Sequence, residues 1–120
     1  MNEVDISVLV GKTLTVATGK VGDDVIHFTA SDGSRFKMYH EQDCCEQVHI
    51  DDICGDIDDL VGSPIVQAEE SSNTARSGCG FDQSETWTFY RLATAKGAVV
   101  IKWWGGSNGY YSEEVNFVQL

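Results

Sequence analysis

Apolar residues in this 120-residue chain come in short runs, the longest being the four from Ala98 to Ile101, with glycine-bearing turns between them. A helix that crosses a bilayer needs about 20 consecutive apolar residues, so the pattern encodes none and no membrane contact is expected. Short alternating runs are what strands require. Leu14, Val16 and Thr18 alternate with Thr15 and Ala17, and Val25 to Thr29 is β-branched and aromatic. Ser31-Asp32-Gly33-Ser34 then predicts a hairpin to the RFKMYH run, because an Asp-Gly pair readily supplies positive φ angles. Further strands are predicted at Gln47 to Ile53, at PIVQA from Pro64, and most strongly at Glu85 to Thr94, Ala98 to Trp104 and Glu114 to Leu120. Met1 to Leu9 is read as a short helix, DIDDLVG as a short acidic turn or helix, Glu70 to Ser84 as the longest loop, and Gly105 to Gly109 as a connecting loop. The expected fold is one mainly β (α+β) domain over 1–120: an antiparallel sheet or flattened barrel of about seven short strands with one or two short helices.

Charge is unevenly placed. The chain carries 19 acids against 8 Lys plus Arg, a net charge of -11, and ten of those acids lie between Met38 and Ala75, where there is no Lys or Arg. Direct nucleic-acid binding is disfavoured, since it needs a basic footprint that releases condensed counterions. The start of the chain has two acids ahead of a short apolar patch and lacks the basic region and cleavage site of a secretory signal, so a reducing cytoplasm is expected.

Within the acidic stretch, His40, Cys44, Cys45, His49 and Cys54 fall inside fifteen residues. Imidazole and thiolate are the ordinary tetrahedral ligands of Zn²⁺, and a small domain gains folding free energy from such a clip. The expected ligands are His40, Cys44, Cys45 and Cys54, with Cys79 or His49 competing for the fourth place. In a regular strand Cys44 and Cys45 would point to opposite faces, so both serve one metal only if the backbone bends there. Asp43 or Glu46 is placed to orient His40 through its second ring nitrogen. The competing reading is of reduced, partly buried thiols beside a structural histidine. A catalytic cysteine with His40 or His49 as base is the enzymatic alternative, but acidic surroundings raise a thiol's pKa where a nucleophile needs it lowered.

Seven aromatics, Trp87, Phe89, Tyr90, Trp103, Trp104, Tyr110 and Tyr111, fall on the last strands and their loops. Trp87 and Phe89 share one strand face, and Trp103 continues the face of Val99 and Ile101; core packing is expected for them. Trp104 with the glycines and tyrosines after it is the candidate aromatic binding edge. Gly105, Gly106 and Gly109 match no phosphate-binding loop.

The strings YHEQDCCEQVHIDDICGDIDDLVGSPI and TWTFYRLATAKGAVVIKWWGGSNGYYSE resemble a small domain family of unknown function from tailed phages and prophages, over roughly Gly11 to Phe117. The size, acidity and Cys/His cluster are also similar to the zinc-containing type II anti-CRISPR proteins that inhibit Cas9. The resemblance implies a non-enzymatic, phage-encoded inhibitor working in the host bacterial cytoplasm. Its expected partner is a host defence protein of the Cas9 type, contacted through Asp51, Asp52, Asp56, Asp58 and Asp59 so that target DNA is not loaded. The alternatives are a structural zinc-binding phage module and an anti-defence protein that sequesters a small ligand.

Overall fold

The computed structural model describes residues 2–77, 83–108 and 111–120, without the side chains of 75–77 and 83. Strands β1 (Asn2–Glu3), β2 (Leu14–Thr18), β3 (Val25–Ala30), β4 (Arg35–Tyr39) and β9 (Asn116–Gln119) form one antiparallel sheet in the order β1-β9-β4-β3-β2. Strands β5 (Gln47–Cys54), β6 (Gln67–Ser77), β7 (Gln83–Thr94) and β8 (Gly97–Ser107) form a second, in the order β5-β8-β7-β6. Neither sheet closes into a barrel, and the described helical structure is limited to two 3₁₀ turns, η1 (Ile6–Leu9) and η2 (Ile57–Leu60). The mainly β expectation holds, as two open sheets.

Alternation builds the core. Ile26, Phe28 and Ala30 of β3, Phe36 and Met38 of β4 and Phe117 of β9 turn to one side and are buried. Tyr90 and Leu92 of β7 and Val99, Ile101 and Trp103 of β8 join them from the second sheet in a single cluster. Phe36 and Phe117 stack at 5.5 Å between centroids, and the Trp103 indole donates to the Met38 sulfur at 3.2 Å across the two sheets. The β2–β3 turn ties the sheets together by backbone: Gly22 N–H donates to Ile50 O and Ile50 N–H to Asp23 O, both at 2.8 Å. The predicted β3–β4 hairpin is present. Gly33 has φ +89°, and Asp32 Oδ1 accepts from Ser34 N–H at 2.9 Å.

Four local expectations are corrected. The Met1 to Leu9 helix is a two-residue strand followed by η1, because Val4 N–H is taken by Phe117 O at 3.0 Å and Asp5 caps a single 3₁₀ turn through Ser7 N–H. Ile6 and Leu9, three apart, fall on the same buried side of that turn. Of the loop expected over Glu70 to Ser84, 70–77 continue β6 and β7 starts at Gln83, while 78–82 lie outside the described residues. As the outermost strand of its sheet, β6 tolerates polar residues, and Thr74 and Thr86 hydroxyls meet across the pair at 3.0 Å. Pro64 makes only an isolated bridge to Thr13, with β6 starting at Gln67. Gly105 and Gly106 extend β8, where their lack of a side chain answers close neighbours: a Cβ at Gly105 would lie 2.9 Å from Glu113 Cβ.

The aromatics divide differently from expectation. Trp103 continues the inward face as predicted, whereas Trp87 and Phe89, which do share a face, lie half-buried on the outer face of the second sheet. Among the described residues no helix is long and apolar enough to cross a membrane.

Candidate functional site

His40 follows directly after β4, and the six residues to Glu46 lead into β5. Glu46, Val48 and Ile50 alternate inward, so the strand that starts at Gln47 carries a carboxylate at the head of its buried face. Glu46 is 3% exposed. Its Oε2 accepts from His40 Nε2 at 2.9 Å and from Asp43 N–H at 3.1 Å, and its Oε1 accepts from Cys44 N–H and Gln42 Nε2, both at 2.8 Å. Burial alone would push this carboxyl up, but the donors His40, Cys44 N–H, its own N–H and Asp43 N–H together hold it down at about 2. On its other side His40 Nδ1 donates to Glu114 O at 2.7 Å. Both ring nitrogens therefore face acceptor oxygens. The loop between the sheets is held by a buried carboxylate hydrogen-bonded to His40 and surrounded by further donors.

This arrangement places the expected zinc ligands. His40, Cys44 and Cys45 share the loop, and the backbone bends at Cys44 and Cys45 as a common site would demand. The two cysteines are joined to each other by a disulfide, and both nitrogens of His40 are engaged. Cys54 is exposed at the other end of β5, whose eight residues separate it from the loop by roughly 23 Å at the usual rise per residue. As placed, these four residues do not form a zinc shell, and no group of three or more His, Cys, Asp or Glu among the described residues is arranged to hold a metal. His49 packs its ring against Trp104 at 5.3 Å, and Cys79 lies outside the described residues. Of the two acids predicted to orient His40, Glu46 contacts the ring, while Asp43 contributes its backbone N–H to Glu46.

The sequence pattern of a domain of unknown function, DUF7448, matches residues 7–117, from η1 to β9 and through the His40 to Glu46 loop. The chain belongs to the DUF7448 family. No curated protein and no solved structure matches it.

The acidic stretch of this DUF7448 domain is divided by the fold. Asp51 and Asp52 are exposed on β5, an outer strand, where the pairing with β8 shifts register between Ile50 and Asp52. Asp51 lies 3.3 Å from Lys102, and Asp52 accepts from Ile53 N–H at 2.9 Å. Gly55, at φ +103° and with Ala98 O only 2.6 Å from where a Cβ would sit, turns the chain out of β5. Asp56 then caps η2 by accepting from Asp58 N–H at 3.0 Å, leaving Asp58 exposed. Asp59 differs from the other four predicted contact residues. It is half-buried, its Oδ2 lies 3.1 Å from the Cβ position of Gly97, and its carbonyl accepts from Thr94 Oγ1 at 2.5 Å, so it supports the β7–β8 turn. Glu69 and Glu70, from the same acidic stretch, lie on β6 at the far edge of the sheet.

Two carboxylates of the DUF7448 domain carry more structure than sequence reasoning assigned them. Glu46 was visible as a partner of His40 but not as the centre of the loop. Glu113 was missed; it is 7% exposed and accepts from Ser84 Oγ at 3.1 Å, Thr86 Oγ1 at 2.7 Å and Ser107 Oγ. The same signal marks both: Glu113, Val115 and Phe117 alternate inward just as Glu46, Val48 and Ile50 do.

Proposed function

We propose that this domain is a binding protein without catalytic activity, an inhibitor whose acidic edge docks on the basic nucleic-acid channel of a defence nuclease of the Cas9 type. The observation that carries the reading is the exposure of Asp51, Asp52, Asp56 and Asp58 together along β5 and the cap of η2, with Lys102 at Asp51 as the cation that pairs there among the described residues. Carboxylates held on an outer strand meet Lys and Arg surfaces without rearrangement, and opposite charge speeds encounter. The resemblance to phage domains supports the choice of partner, since target DNA enters such an effector along an exposed basic path after the guide RNA is bound.

Titrating the domain into a guide-loaded Cas9-type nuclease tests this. DNA binding should fall to zero near one equivalent while the guide RNA stays bound. The variant with Asn at 51, 52, 56 and 58 should need at least tenfold more protein at 50 mM salt and show a flatter salt dependence, because exposed charges act over about 8 to 10 Å in physiological buffer. Full DNA binding at saturating inhibitor would sink the assignment.

A second reading has one observation in its favour. Asp24, His27, Lys37, Tyr39, His40 and Gln42, with Val25 and Val48, line a recess of about 390 Å³ between the outer side of the first sheet and the loop, large enough for a small ligand. Recovery of a stoichiometric small molecule from the purified domain would favour sequestration over docking.

A further inference from the structure

The outer face of the second sheet carries a row of half-buried aromatic rings. His49 pairs in register with Trp104, Trp104 with Trp87, and Phe89 follows on β7 opposite Lys102. Trp104 lies down along its own strand: a Cβ at Gly106 would come within 2.6 Å of its Cη2 and 2.7 Å of its Cζ2. The missing side chain at Gly106 makes room for the indole. Trp104 and Gly106 line a shallow recess of about 200 Å³ together with Ser84, Glu85 and Ser107.

The charged side chain described at this recess is that of Glu85. Glu85 is exposed at its wall, and Ser84 and Ser107, which also line it, donate their hydroxyls to Glu113, buried on the inward side of the sheet. No ion pair to Glu85 is formed among the described side chains, so one carboxylate and an indole share the recess. An indole face attracts a cation within about 6 Å, and a planar guanidinium can stack on the ring while its N–H groups reach a carboxylate. An ammonium offers the charge without the plane.

We propose that this recess takes the guanidinium of an arginine side chain of the partner protein, stacked on Trp104 and paired with Glu85. The inference rests on the reading of a basic protein partner and names the contact at its centre. The row and the acidic edge are continuous, since His49 and Asp51 both belong to β5 and Asp51 meets Lys102 on the same sheet. Trp and Arg dominate the centres of protein interfaces while charged residues ring them, and here the acidic edge would be the rim.

The test uses arginine amide as the probe, with lysine amide and glucose as comparators, followed through the Trp104 indole N–H resonance assigned with Trp104→Phe. Arginine amide should give a saturable shift, with lysine amide binding about threefold more weakly and glucose not at all. Glu85→Gln, at an exposed position that leaves the fold intact, should weaken arginine amide by at least about threefold. The acidic-edge variant with four Asn should bind arginine amide as wild type does. Equal binding of lysine amide, a response to glucose, or no saturable shift overturns the proposal. Because the probe requires no nuclease, failure of the Cas9 assignment and failure of the arginine site are read separately. With the nuclease itself, Glu85→Gln and Trp104→Leu should each cost about tenfold in affinity; unchanged affinity for both would overturn the site as an interface contact.

Discussion

The two ends of β5 are a controlled comparison of what a fold does with acid. At its head Glu46 is buried, meets four donors and holds its carboxyl at about 2. At its tail Asp51, Asp52, Asp56 and Asp58 face solvent and make local contacts only. Both come from one stretch of like charge, yet one acid organises the structure and the others leave it largely indifferent. Charge density in the sequence is therefore a poor guide to electrostatic role; the number of donors within reach decides it.

The largest break in this comparison is Glu46→Ala. It removes the acceptor shared by His40 Nε2–H, Gln42 Nε2 and the N–H groups of Asp43 and Cys44 and leaves a cavity where a buried side chain stood, and thermal unfolding should move down by about 10 °C or more. Glu46→Gln keeps two acceptor sites and should cost less. Acid titration is next in size. A carboxyl whose folded pKa lies below its usual 4.5 stabilises above that value and loses its contribution as pH falls toward about 2, so unfolding between pH 5 and 2 should be steeper in wild type than in Glu46→Gln. Equal slopes would mean that Glu46 is not the acid-sensitive group. The four-Asn variant of the acidic edge should change stability by no more than about 0.5 kcal/mol per site, checked by denaturant unfolding, since Asn at position 56 still caps η2.

Smaller effects sharpen the contrast. Glu70 on β6, opposite Tyr90, is pushed up from the usual carboxylate value chiefly by desolvation; the Tyr90 hydroxyl pulls it down, and Asp5, Glu114 and Glu3 add smaller upward pushes. A raised carboxyl stabilises at low pH and loses that contribution as pH climbs through its folded pKa. Glu70→Gln should accordingly raise the melting temperature at pH 7 by about 2 °C and have no effect at pH 3. The smallest expected effect is that of a chelator: with the loop held by Glu46, the melting temperature should not move. A fall that zinc restores would show His40, Cys44 and Cys45 rearranging to bind metal.

Much of the strand content was legible. Alternation located β2 to β5 and β7 to β9 to within a few residues, because a strand with one buried face must alternate. Two kinds of element escaped it. Strand β6 carries Glu, Ser, Asn and Thr because an outer strand needs few apolar residues, and its polar composition reads as a loop. Gly105 and Gly106 read as a turn because glycine in sequence does not distinguish a bend from a close neighbour, and here the neighbours are Glu113 and the Trp104 ring. The site divides along the same line. His40 with Glu46 was readable as a local pair six residues apart, but Glu114 O, which completes the ring's bonding, arrives from a segment 74 residues away.

The sequence by itself determined that the chain is mainly β, that its charge gathers in one stretch, and which residues carry reactive side chains, since these follow from period, composition and local spacing. Only the tertiary structure decided which acids are buried, which face of the last strands presents Trp87 and Trp104, and that Cys54 lies a strand's length from Cys44 and Cys45. Those outcomes depend on which strands pair and which sheet face packs inward, and long-range pairing leaves no mark on local periodicity.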